Sequence, residues 1–194
     1  MDYRSLNKLV INLPSRRDRL ENVQTQLKGV DYTIIDGVVA HKPLLGIARA
    51  HLNCIEYAKV NNWQEVLIIE DDLILRPNFE TYLNHALYNM PNDWEILLGG
   101  LYNKKGLIKY NDWWDRVGEF RGLHFYIVNQ SAYDKILSYN PDEMQHIDAW
   151  MNRHGKRLNC YVLKKFVATQ SSGYSDNVKA TVDYSHLIGK NQLL

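Results

Sequence analysis

Val66-Leu67-Ile68-Ile69-Glu70-Asp71-Asp72 sets the reading of this chain. Four consecutive aliphatic residues, three of them β-branched, fit a strand covered on both faces, as in a parallel sheet flanked by helices. If the backbone stays extended, Glu70 and Asp72 project to one side and Asp71 to the other. The carboxylates then stand at the carboxyl end of the strand, the edge where open α/β sheets bind ligands. Adjacent carboxylates beside a dry core repel one another. A divalent cation compensates them naturally, because Mg²⁺ and Mn²⁺ prefer oxygen ligands and share their shells with water and phosphate. By spacing alone, a solvated acidic turn leading into Leu73 is the simpler explanation.

Upstream, residues 8–12 (KLVIN) form a short apolar run stopped by Leu13-Pro14. Ser15 is placed to cap a helix, with Asp18 three residues on and Leu20, Val23 and Leu27 at helical spacing up to Gly29. Residues 32–35 read as a second strand and residues 47–58 as a helix with Gly46 just ahead of it. The order strand, helix, strand, helix, strand predicts an α/β sheet with right-handed crossovers.

Downstream, residues 77–90 read as a helix and residues 94–98 as a strand. Residues 99–118 hold three glycines besides Gly118 and the aromatics Tyr102, Tyr110, Trp113 and Trp114, the composition of a candidate active-site loop. Strand is expected again over residues 120–128 and over Cys160–Leu163, with helices over residues 132–137 and Ile147–Arg153. Nothing is assigned after Gln170. With no repeat or linker, the expectation is one domain over residues 1–194.

The 23 basic residues nearly balance the 22 acidic ones and form no concentrated run, so no nucleic-acid partner is expected. Cys54 and Cys160 lie in apolar stretches without ligand spacing and read as small buried thiols in a reducing compartment. Apolar runs are short and Met1 is followed by Asp2, Arg4 and Lys8, which predicts neither membrane span nor signal peptide. The expected location is cytoplasmic and soluble, the host cytoplasm if the protein is viral.

Several segments in order resemble the lipopolysaccharide-type glycosyltransferases of family 25. VINLPSRRDRLENVQTQL resembles that family's first strand and Arg-containing helix, and GIARAHLNCIEYAKVNNWQEVLIIEDD its central helix and acidic motif. RGLHFYIVNQSAYDKIL resembles the strand and helix after the donor site, and HIDAW falls where the family carries a late acidic residue. The chain also looks like the amino-terminal glycosyltransferase domain encoded by large algal DNA viruses. The resemblance implies a GT-A fold, a single-domain nucleotide-binding, Rossmann-like, mostly parallel sheet with flanking helices. It further implies a UDP-sugar donor, an oligosaccharide or glycoprotein acceptor, and Mn²⁺ or Mg²⁺.

The chain carries Glu-Asp-Asp where the family pattern is Asp-x-Asp. Position favours Asp72 as the metal ligand, with Glu70 or Asp71 reaching the ribose or a metal-bound water and Glu70 a further candidate ligand. The resemblance places the nucleotide over the first strand's exit, so Asn12, Leu13 and Arg16 would meet base and ribose, while Arg49 could approach the donor. Asp148 is the candidate general base of an inverting reaction; a helix-entry acid is the equal alternative. His146 or His186 could add a nitrogen to the metal. Arg19 reads as a solvated helix residue, and Trp113 and Trp114 as a sugar platform or as core. Two other classes fit a metal at a strand end: a metal-dependent phosphatase or nucleotidyl hydrolase, and a non-catalytic sugar-nucleotide-binding module. The first commonly needs a nucleophilic Asp followed by Thr or Ser, which Leu73-Ile74-Leu75 does not supply.

Overall fold

The computed structural model describes residues 1–141, 145–153, 158–176 and 178–184. The chain runs β1 (Asn7–Asn12), α1 (Arg17–Gln26), β2 (Thr33–Asp36), α2 (Pro43–Val60), β3 (Glu65–Glu70), β4 (Leu73–Leu75), α3 (Phe79–Tyr88) and β5 (Ile96–Gly100). It continues through β6 (Asn103–Lys105), β7 (Ile108–Lys109), β8 (Trp114–Arg116), β9 (Glu119–Arg121), β10 (Phe125–Asn129), α4 (Tyr133–Leu137) and α5 (Ile147–Arg153). The last elements are β11 (Cys160–Leu163), β12 (Ala168–Gln170), β13 (Gly173–Ser175) and β14 (Ala180–Val182).

Eight strands form the central sheet in the order β2-β1-β3-β10-β5-β11-β8-β7. Only β10 and β8 run against the other six. This is the expected α/β architecture, a large, mostly parallel sheet between helices. Alternation along the strands feeds two cores. Leu9, Val66 and Ile68 pack with Cys54 and Ile55 of α2, Ile136 of α4 and Trp150 of α5. Val10, Leu67 and Ile69 face the other way, onto Val23 of α1 and Leu83 and Leu87 of α3. β3 is therefore apolar on both faces from Val66 to Ile69 and polar only at its two ends, Glu65 and Glu70. Both cysteines are buried free thiols, and no described helix is long and apolar enough to cross a membrane.

Local competition explains where the structure departs from the sequence pattern. α1 begins at Arg17 and Ser15 makes no cap, because Asp18 is held by both ends of the Arg16 guanidinium fork at 2.9 and 2.8 Å. α2 starts at Pro43, a residue suited to the first helical position, so Gly46 lies inside the helix. A Cβ at Gly46 would stand 2.1 Å from the Val38 carbonyl oxygen, and only glycine lets the 37–40 segment lie against the helix there. Half of residues 99–118 are strand: Gly99 and Gly100 end β5, and β6 pairs with β9 and β7 with β8. The expected strand over 120–128 is two strands broken at Gly122, whose φ is +97°. Beyond Gln170, β13 and β14 pair as a hairpin.

Candidate functional site

β1, β2 and β3 run in parallel and end together, and the chain leaving β3 turns at Asp71 and Asp72 before β4. β4 pairs with β12 so that Gln170 stands opposite Leu73, and the Ser171 N–H donates to the Asp72 carbonyl at 2.7 Å. These two pairings bring Gln170 against residues almost one hundred positions earlier. Its Nε2 donates to Glu70 Oε2 at 2.7 Å and to Asp72 Oδ1 at 2.9 Å. Glu70 and Asp72 thus share a side, as alternation requires, and Asp71 turns away. Asp71 Oδ2 accepts from Asn12 Nδ2 at 2.8 Å, and its Oδ1 accepts from Arg19 Nη1 at 2.9 Å. Arg19 Nη1 also lies 3.3 Å from Asp72 Oδ2, and His51 Nε2 lies 3.3 Å from Glu70 Oε1. Each carboxylate oxygen of the cluster therefore has a protein partner.

The charges are unevenly compensated. Burial, then the charges of Glu70 and Asp71, push the Asp72 carboxyl up to about 7, against the pull of Arg19 and Gln170. Burial also raises Asp71, with Arg19 and Asn12 opposing. Burial acts upward on Glu70 too, but the His51 hydrogen bond and charge outweigh it and hold that carboxyl below its ordinary value. His51 is itself fixed by a 2.8 Å hydrogen bond between Nδ1 and the buried Tyr126 hydroxyl.

Above this floor opens a cleft of about 480 Å³, within the roughly 300–1,000 Å³ typical of small-molecule sites. Leu13 and the 37–40 segment form one wall, apolar and ending in the exposed Val39. His146 and Asp148, beside Gly122 and Leu123, form another. Tyr102 and Tyr184, stacked at 5.6 Å, line it as well, together with Ser175, Asp176 and Lys179 around the β13–β14 hairpin. Asp148 is tethered: its Oδ2 accepts from the Gly122 N–H at 2.9 Å and its Oδ1 from the Ala149 N–H at 2.6 Å.

Of the residues singled out from sequence, Leu13, Glu70, Asp71, Asp72, His146 and Asp148 meet in this cleft. Asn12 is buried and spends its amide on Asp71 and the Arg16 carbonyl. Arg16 binds Asp18 and Asp176 and so clasps the β13–β14 hairpin to α1. Arg49 does not line the cleft; it is exposed, one helical step from the buried Ala48 and Ala50. His186 lies outside the described residues. Arg19 is not a solvated residue: its side chain is 20% exposed and it is the cation of the cluster. Trp114 is fully buried, its Nε1 donating to the Ala86 carbonyl, and Trp113 stacks on His85 of α3, so neither forms a sugar platform. Tyr102 reaches the cleft from the glycine- and aromatic-rich stretch expected as an active-site loop. Sequence reading missed Gln170, His51 and Lys179. The four-residue spacing of Ala50, Cys54 and Ala58 already put His51 next to an apolar face, but nothing local marked the other two.

The cluster suits a divalent cation chemically. Glu70 and Asp72, joined by one amide group, offer hard oxygen donors on a shared side. Among the described residues no three His, Cys, Asp or Glu side chains are gathered as a ready-made cage.

No family model matches the chain, and no curated protein matches it. Among solved structures, A197 from STIV aligns with a TM-score of 0.55 at 13% identity, covering 94% of this chain and 93% of that one. A glycosyltransferase involved in the glycosylation of the major capsid of PBCV-1 aligns with a TM-score of 0.54 at 8% identity, covering 81% of this chain and 80% of that one. At these identities the likeness is one of fold.

Proposed function

We propose that this chain is a GT-A-type glycosyltransferase that moves a sugar from a UDP-sugar to a hydroxyl of an oligosaccharide or glycoprotein acceptor, with inversion and with Mn²⁺ or Mg²⁺. One observation carries the reading: Glu70, Asp71 and Asp72 floor an open cleft at the carboxyl edge of β1 and β3, the place where α/β sheets take nucleotides. The family 25 resemblance and the fold shared with the PBCV-1 glycosyltransferase support it.

Bound there, the cation supplies Lewis-acid stabilisation of the departing diphosphate. Asp72 and Glu70 would hold it, with His146 on the same cleft as a further donor. Leu13 and the apolar 37–40 wall fit a nucleobase and exclude water from it. The stacked Tyr102 and Tyr184 line the cleft beside the acidic floor, where the sugar would lie. Asp148 takes the acceptor hydroxyl's proton while the acceptor oxygen attacks the anomeric carbon. In the same step UDP leaves from the opposite face with the electron pair of the broken C–O bond. Two backbone N–H bonds and the Arg121 guanidinium, 3.6 Å from Oδ1, fix the direction of the Asp148 carboxylate, and its remaining lone pair on Oδ2 is the one to take that proton.

The test is a panel of UDP-sugars incubated with Mn²⁺. The reading predicts UDP release from at least one donor, accelerated by acceptor. Release of inorganic phosphate instead would identify a phosphatase, and binding without turnover a non-catalytic module.

A further inference from the structure

We infer that Arg19 is the built-in counter-ion of the acidic cluster, holding Asp72 until donor and divalent cation arrive together and then exchanging Asp72 for the donor's diphosphate. The inference rests on the reading above only in taking a nucleotide diphosphate and a cation to share this cleft.

Arg19 reaches the cluster from α1, and its Nη1 faces an oxygen of each aspartate, at 2.9 Å from Asp71 and 3.3 Å from Asp72. The other Asp72 oxygen is covered by Gln170. A cation on Asp72 Oδ2 would stand beside the guanidinium, and the two positive charges repel, so the cation is held more tightly once Arg19 gives that oxygen up. Giving it up alone is uphill, because the guanidinium is mostly buried and loses a charged partner. A diphosphate in the cleft changes the balance, since it offers the planar fork a bidentate anion. Arg19 lines the cleft, so its exchange of partners needs a side-chain movement and no refolding. Arg19 Nη2 stays anchored on the Tyr174 carbonyl at 2.9 Å, and Arg16 fixes the same hairpin through Asp176. Arg19 thus makes cation and nucleotide binding positively coupled, and by linkage the coupling is reciprocal.

Titration calorimetry at about pH 8.5, where protons compete less for the carboxylates, with Mn²⁺ alone, UDP alone and both together tests this on wild type, Arg19→Gln and Arg19→Lys. In wild type, Mn²⁺ affinity is expected to rise by roughly tenfold or more when UDP is present, the worth of one charged hydrogen bond. Arg19→Gln should bind Mn²⁺ alone on the order of tenfold more tightly than wild type and UDP-Mn²⁺ more weakly, so that the coupling collapses. Arg19→Lys should keep the weak binding of Mn²⁺ alone. Arg19→Gln binding Mn²⁺ alone no more tightly than wild type would overturn the inference. Should Arg19→Gln fail to fold, the wild-type comparison decides: Mn²⁺ affinity that is equal with and without UDP overturns it. Wild type that binds no UDP under any condition sinks the transferase reading instead, while Mn²⁺ alone still compares Arg19→Gln with wild type.

Discussion

Replacing Gln170 with Leu removes one amide group from between two carboxylates and nearly conserves volume. Gln170 is buried, and its Nε2 serves both Glu70 and Asp72. A hydrogen bond to a charged group contributes about 1.5–3 kcal/mol, so losing both has an upper range of about 3–6 kcal/mol. Protonation limits the loss. The Asp72 carboxyl already sits near 7, pushed up by burial and then by Glu70, so taking up a proton near neutral pH costs little and removes the repulsion. The expected loss at neutral pH is about 3 kcal/mol, or about 6–12 °C in Tm for a chain of this size. The sign of the pH dependence follows from linkage. Asp72 binds its proton more tightly folded than unfolded, so its contribution is most favourable at acid pH and declines as pH rises toward the folded value. Without Gln170 the folded value rises further and the decline extends to higher pH. Urea denaturation at about pH 5 and about pH 8.5 should therefore show a larger deficit at the higher pH. A loss below about 1 kcal/mol at the higher pH, or one equal at both, would refute the bridging role.

Other perturbations probe the walls of the site. Gly46→Ala forces a Cβ to within 2.1 Å of the Val38 carbonyl, and overpacking of this kind costs about 1–3 kcal/mol; melting should register it, and UDP titration should weaken as the 37–40 wall shifts. Buried His124 is pushed down to about 4 by desolvation, with Glu70 and the Ala168 carbonyl offsetting this only in part. Its unfolded form takes a proton first, so its share of stability is present above about 6.5 and roughly 3 kcal/mol is lost as pH falls toward 4. Asp72 acts in the opposite sense over that interval, so the check is the wild-type pH profile minus that of His124→Gln; parallel profiles would show that His124 does not titrate this way. Asp148→Asn should bind UDP-Mn²⁺ like wild type and transfer no sugar, and wild-type turnover would remove Asp148 as the base.

Much of the frame was legible because it rests on short-range periodicity. The aliphatic run of β3 announced a strand covered on both faces, and alternation alone put Glu70 and Asp72 on the side where Gln170 now bridges them. The bounds of α5 and β11 match the expectation for the same reason. What local pattern could not reach were contacts made by topology. Gln170 meets Asp72 only because β12 pairs with β4. Arg19 meets it because α1 packs beside β4 and turns that face inward, where a helical wheel showed only a charged position. Trp113 and Trp114 misled for a related reason. Strands of two or three residues carry too little alternation to announce themselves, so a hairpin burying its aromatics against α3 looked like an open loop.

On the proposed function, the acidic floor of the cleft receives a sugar nucleotide together with a divalent cation. Calorimetric titration of UDP into wild type and Asp72→Asn, each with and without Mn²⁺, tests it most directly. Wild type should bind UDP more tightly with Mn²⁺, and Asp72→Asn should lose the Mn²⁺-dependent increment. Absence of UDP binding in wild type under both conditions, or an increment unchanged in Asp72→Asn, would contradict it.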